Sequence, residues 1–63
     1  MTPAEFRNIR LSLGLTADQL ARFMGFNGGR AVRKWESGSQ PVNPVAARIM
    51  GWLDKGYLSA VDD

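Results

Sequence analysis

The chain has 63 residues, with eight Lys or Arg against six Asp or Glu, a formal net charge of +2, and neither cysteine nor histidine. Its length predicts a single domain, because a chain this short buries only about 60% of the surface that its unfolded form exposes. The missing cysteine and histidine exclude disulfides, Cys/His zinc sites, thiol nucleophiles and catalytic triads with a histidine base.

No apolar stretch approaches the roughly 20 residues of a membrane span, so we expect a soluble, cytoplasmic protein with no membrane partner. The charge is unevenly distributed, since Arg30, Arg33 and Lys34 fall close together. Such a cluster is typical of a surface that faces phosphates, although a solvated helix face gives the same pattern. Charge alone leaves both interpretations open.

Two helices are predicted in the first part of the chain, each beginning with a threonine capping box. Glu5 follows Thr2, and Gln19 follows Thr16, at the spacing that lets the two residues bond each other's backbone amides. A glycine follows each helix and is expected to end it. The apolar residues that should face a core are Phe6, Ile9 and Leu13 in the first helix and Leu20, Ala21, Phe23 and Met24 in the second.

A third helix is predicted over about residues 29–36, after a glycine-rich turn in which Asn27 or Gly28 serves as the N-cap. Val32 and Trp35 lie three residues apart and should face the core, so we do not expect Trp35 to stack on bases. The basic cluster lies on the opposite face of this helix. No segment alternates with a period of two, so no sheet is predicted.

A fourth helix is predicted over about residues 44–55, followed by a partly disordered tail over 57–63. Its apolar stripe is unusually wide, comprising Val45, Ala46, Ile49, Met50, Trp52 and Leu53. This is more apolar surface than one small core needs, which favours a two-fold dimer interface. The predicted interface residues are Met50, Trp52, Leu53, Tyr57 and Leu58. The alternative is that Trp52 folds back onto the first helix.

Two short helices joined by a tight glycine turn, the second of them basic, meet the requirements of a helix-turn-helix. The second helix must be narrow enough to enter the major groove of DNA, which is about 12 Å wide. Arg30 and Lys34 lie four residues apart and share one face of this helix, with Arg33 beside them. Arginine is suited to base reading because its planar fork pairs bidentately with guanine.

The segments LTADQLA at 15–21 and VRKWESG at 32–38, with Gly25 between them, resemble the XRE/Cro/cI-like helix-turn-helix family. The resemblance covers about residues 4–53 and is closest to small phage and mobile-element regulators, including anti-CRISPR-associated autorepressors. It implies an all-α, four- to five-helix lambda-repressor-like DNA-binding domain, with its helix-turn-helix unit at about residues 16–36.

The resemblance also implies roles for individual residues. The base-reading positions are Asn27, Gly29, Arg30, Arg33 and Lys34, and the phosphate contacts are Thr16, Ser37, Ser39 and Gln40. Arg10 and Glu36 match a salt bridge that locks the recognition helix against the first helix. The segment from Gly25 to Trp35 is about one residue longer than the family pattern, which leaves the start of the recognition helix open at Asn27 and Gly29.

The predicted function is sequence-specific binding of double-stranded DNA by a transcriptional regulator that represses its own operon. A homodimer would read a short inverted repeat with half-sites about 10 bp apart, without a cofactor, metal or small-molecule ligand. The alternative is an antitoxin-like protein-interaction module with secondary DNA binding. An enzyme is not predicted, because no close pair of acids forms a catalytic constellation. RNA binding is disfavoured because the stacking aromatics of single-strand readers are missing.

Overall fold

The computed structural model describes residues 1–59, and within them the chain is all-helical. Its four helices are α1 (Pro3–Ser12), α2 (Ala17–Phe23), α3 (Arg30–Ser37) and α4 (Pro44–Asp54). None of the helices in this part of the chain is both long and apolar enough to cross a membrane. Of the tail that we predicted to be partly disordered, residues 60–63 lie outside the described range.

Side-chain caps begin three of the helices, and those of α1 and α2 are the threonine capping boxes that the sequence predicts. Glu5 donates its backbone N–H to Thr2 Oγ1 at 3.1 Å, and Thr2 donates its own to Glu5 Oε1 at 3.0 Å. Thr16 and Gln19 form the same reciprocal pair at 2.8 and 3.1 Å. Asn43 caps α4 by accepting two backbone N–H groups of the first turn. These bonds satisfy amides that a helix start leaves without partners.

The start of α3 differs from the prediction. Neither Asn27 nor Gly28 is the N-cap; the N-cap is Gly29, which has no capping side chain. Instead, Asp18 Oδ1 on α2 accepts the Gly29 N–H at 2.6 Å. A Cβ at Gly29 would lie 2.6 Å from that oxygen and 2.8 Å from the backbone carbon of Ala17. The approach of the turn to α2 therefore fixes where α3 begins.

The core lies where α3 packs against α2 and α1, and where α1 packs against α4. Trp35 is only 4% exposed, which confirms its predicted place in the core. The rings of Phe6 and Phe26 meet the Trp35 ring edge-on, with centroids 5.6 and 5.8 Å away. Phe23, by contrast, was expected on the core side of α2 and is 41% exposed. The buried hydrophobic residues of the described range are Phe6, Leu20, Ala21, Val32, Trp35, Ala46, Met50 and Leu53.

The predicted dimer interface on α4 requires a correction. Met50 and Leu53 are 0% and 3% exposed, because the inner stripe of α4 packs into the core of this same chain. They are therefore core residues and are not available to a second copy. The other three predicted interface residues are exposed on the monomer, namely Trp52, Tyr57 and Leu58. The exposure of Trp52 also argues against its folding back onto α1.

Candidate nucleic-acid interface

One side of α3 is buried and the other carries two cationic side chains. Val32 and Trp35 hold the helix against the core, while Arg30 is exposed and Lys34 is half-buried. Residues four apart are separated by about 40° around a helix, so Arg30 and Lys34 project in nearly the same direction. They line one open groove, here called the α3 groove, with a volume of about 310 Å³. Its residues are Phe26, Asn27, Gly28, Arg30, Ala31, Lys34 and Gln40.

The α3 groove brings together four of the residues predicted to bind DNA: Asn27, Arg30, Lys34 and Gln40. Within residues 1–59, the ion pairs are Arg10 with Glu36 and Arg33 with Asp18. Neither Arg30 nor Lys34 is paired with a carboxylate in that range. Their charges are therefore available to an anion brought to the groove.

Arg33 does not join this group. It lines a second open groove on the other flank of α3, of about 310 Å³, with Arg7, Arg10, Glu36 and Ser37. Its Nη2 lies 3.2 Å from Asp18 Oδ1, and the two side chains are 63% and 50% exposed. An exposed pair of this kind stabilises a protein by about 0–1 kcal/mol. A stronger anion could therefore take Arg33 from Asp18 at little cost.

Gly29 was predicted to read bases, and the structure places it elsewhere. It is buried against the first residues of α2, where there is no room for a Cβ. Gly28, its neighbour, lines the α3 groove instead. Gly29 is therefore packed against α2 and has no surface to offer to a base.

Thr16, Ser37 and Ser39 were predicted to contact phosphates, and each has an intramolecular partner. Thr16 uses both its hydroxyl and its backbone N–H in the capping box of α2. The hydroxyls of Ser37 and Ser39 donate to the Lys34 carbonyl at 3.1 and 3.3 Å. These bonds close the C-terminal turn of α3, where helix carbonyls otherwise lack partners.

Gln40 takes part in the same turn through its backbone alone. Its N–H donates to the Lys34 carbonyl at 3.3 Å, and this bond draws the loop back towards α3. Gln40 also lines the α3 groove. Among the four predicted phosphate contacts, it is therefore the one that shares this groove with Arg30 and Lys34.

Arg10 and Glu36 form the ion pair that the resemblance implies. Arg10 donates from Nε to Glu36 Oε2 at 2.7 Å and from Nη2 to Oε1 at 2.8 Å, and from Nη1 to the Leu15 carbonyl at 3.0 Å. The side chains are only 12% and 9% exposed. Hydrogen bonding to Glu36 raises the pKa of Arg10 above its usual value. The pair joins α1, the turn before α2, and α3, and so holds α3 at a fixed rotation.

Two residues of this surface were missed by sequence reasoning. The sequence predicts no site role for Asp18, yet it anchors Gly29 and pairs with Arg33. It predicts none for Phe26, yet the Phe26 ring meets Trp35 and the residue lines the α3 groove. An apolar residue inside a glycine-rich turn was the available signal for Phe26. No local pattern indicates the contacts of Asp18.

Comparison with known proteins identifies no relative of this chain. No family model, no curated protein and no solved structure matches the chain. Its function has to be inferred from its own residues and their arrangement.

Proposed function

We propose that the protein binds double-stranded DNA sequence-specifically, with α2 and α3 forming a lambda-repressor-like helix-turn-helix. The observation that carries this proposal is the pair Arg30 and Lys34. Both lie on the outward side of a short helix and, within residues 1–59, neither has a carboxylate partner. The opposite side of that helix is fixed by Val32 and Trp35. A rigidly held, cationic helix is what insertion into a groove of DNA requires.

The dimensions and the chemistry of α3 suit the major groove. A helix with its side chains is about 10–12 Å across, and the groove is about 12 Å wide. In this proposal Arg30 pairs bidentately with guanine, which discriminates against the wrong base by about 1–3 kcal/mol. Lys34 supplies a point charge for a base edge or a phosphate. Asn27 and Gln40 line the same groove, and in this proposal their side-chain amides pair with adenine.

The regulatory role is part of the same proposal. A cytoplasmic repressor of its own operon would occupy a short inverted repeat as a homodimer, with recognition helices about 34–36 Å apart. Trp52, Tyr57 and Leu58 are 42%, 72% and 40% exposed and are the proposed dimer contacts. Occupancy would then follow protein concentration through dimerisation, because a symmetric site is filled well only by the dimer.

A second candidate function is an antitoxin-like module that binds another protein. The observation that favours it is the apolar outer surface of α4, where Val45 is 67% exposed and Trp52 is 42% exposed. Sedimentation of the purified chain distinguishes the two candidates. A homodimer that depends on Trp52 supports the regulator, whereas a monomer that co-purifies with one stoichiometric partner supports the module.

The direct test is fluorescence anisotropy on the DNA upstream of the protein's own gene and on scrambled DNA, at about 150 mM salt. We expect the upstream DNA to bind about 10³-fold or more tightly. Arg30→Ala should abolish this preference, whereas Arg48→Ala, which removes an exposed arginine of α4 outside both grooves, should keep it. Equal, weak binding of the wild-type protein to both DNAs would contradict the proposal.

A further inference from the structure

The α3 groove contains apolar side chains that the proposed contacts to guanine and phosphate do not use. Phe26 and Ala31 line it together with the polar residues. Arginine and lysine alone would suffice for an electrostatic contact to DNA. The apolar part of the groove can therefore bind an apolar ligand group that the two cations do not contact.

Phe26 is exposed but held in place. It is 40% exposed, although burying an aromatic ring of this size would be favourable. Its backbone N–H donates to the Ala21 carbonyl at 2.9 Å, and its ring meets the buried Trp35 edge-on. Phe26 thus offers a fixed apolar surface in the same groove as Arg30 and Lys34.

We propose that Phe26 and Ala31 bind the 5-methyl group of a pyrimidine in the major groove, which in ordinary DNA is the methyl group of thymine. The inference rests on the proposed function, since it names a base that the same groove recognises. The thymine methyl is the apolar group that base pairs present in the major groove. Phe26, Ala31 and Arg30 line the same groove, so we expect the methyl group close to the guanine that Arg30 reads.

The size of the effect follows from the area that a methyl group buries. Removing one buried methyl group should weaken binding about fourfold. When the methyl group is removed from both half-sites, the affinity of a dimer should fall by about the square of that factor, because contacts at separate half-sites add in free energy. Discrimination of this kind should not depend on salt, unlike the contribution of Arg30 and Lys34.

The first experiment uses the wild-type protein and two pools of random duplex DNA. The pools are identical except that one contains deoxyuridine in place of thymidine and so lacks every thymine methyl group. A sequence recovered from the thymidine pool is then remade with uracil at one position at a time. We expect one position in each half-site to lose about fourfold in affinity. At that position 5-methylcytosine should bind more tightly than cytosine.

The second experiment compares two variants that remove equally exposed phenylalanines. Phe26→Ala should bind the thymine and uracil duplexes equally, while Phe23→Ala should still distinguish them. Phe23 is a matched control because it is 41% exposed and lies outside the α3 groove. Thermal melting verifies that each variant is folded. If Phe26→Ala is unfolded, the binding of the wild-type protein to thymine and uracil duplexes decides whether the methyl group is recognised.

The outcomes separate this inference from the proposed function. A wild-type protein that selects a sequence but tolerates uracil at every position overturns the methyl contact and leaves DNA recognition intact. A wild-type protein that selects no sequence from either pool overturns both. Loss of discrimination in Phe23→Ala and Phe26→Ala alike also contradicts the assignment to Phe26.

Discussion

Asp18 and Gly29 are joined by a 2.6 Å hydrogen bond from the Gly29 N–H to Asp18 Oδ1, and this bond fixes the start of α3. The same oxygen accepts from Arg33 Nη2 at 3.2 Å. Asp18 thus connects α2 both to the backbone before α3 and to a cation on its flank. The negative charge of Asp18 also interacts favourably with the positive, N-terminal end of the α3 helix dipole.

Replacing Asp18 by asparagine should separate its two roles. Asp18→Asn keeps an oxygen for the Gly29 N–H but removes the charge that holds Arg33. We expect a loss of about 0–2 kcal/mol in the free energy of unfolding, because the exposed pair and the interaction with the α3 helix dipole both lose the charge. We also expect tighter binding to random DNA, with a log–log salt slope steeper by about 0.9, since the freed Arg33 gains a phosphate. An unchanged slope would mean that Arg33 contacts no phosphate.

Substitution of the two adjacent glycines of the turn should have opposite outcomes. In Gly29→Ala the new Cβ would lie 2.8 Å from backbone atoms of Ala17 and Asp18, which cannot move as a side chain does. We expect a loss of about 1–3 kcal/mol in the free energy of unfolding, measured by urea denaturation. Gly28→Ala is the control, because its Cβ would meet only Asp18 Oδ1 at 3.9 Å. Equal stability of the two variants would contradict the close approach described here.

Glu36→Ala should be the most destabilising of the charge removals. It leaves Arg10, whose side chain is 12% exposed, without the carboxylate that accepts two of its hydrogen bonds. We expect a loss of about 3 kcal/mol, at the lower end of the range for breaking a buried pair. Arg33→Ala is the comparison and should cost less than about 1 kcal/mol, because its pair is exposed. Equal melting temperatures for the two variants would refute this ranking.

Protonation of Glu5 should account for part of the stability that the protein loses in acid. Hydrogen bonds with Thr2 lower the pKa of Glu5 below the usual 4.5. The larger effect comes from the Thr2 backbone N–H and the smaller from the Thr2 side chain. Because the folded-state pKa is the lower one, the contribution is present above pH 4.5 and is lost as the pH falls through the folded-state value.

Glu5→Gln tests this contribution, because it keeps an oxygen for the Thr2 N–H without a titrating group. Thermal melts from about pH 6 to about pH 3 should show a shallower decline for Glu5→Gln than for the wild-type protein. Parallel declines would mean that Glu5 has the same pKa in the folded and unfolded chains. Gln19 makes the corresponding contact in α2 without a charge and should contribute no pH dependence.

The sequence by itself determined the four helices and most of their ends. Capping depends on residues three apart, as for Thr2 with Glu5, so a local pattern is enough to predict it. Spacing also assigned Val32 and Trp35 to the core, because one face of a short helix must be buried. The pairing of Arg10 with Glu36, 26 residues apart, came instead from the family resemblance.

Only the tertiary structure decided which of these residues share a surface. It placed Arg33 away from Arg30 and Lys34, buried Gly29 against α2, and assigned Met50 to the core instead of an interface. The contacts that hold Gly29 and Arg33 join residues 11 and 15 positions apart, Asp18 with Gly29 and with Arg33. Helical periodicity gives the direction of a side chain relative to its own helix axis. The rotation of each helix against its neighbours depends on packing across the whole core, which no local pattern contains.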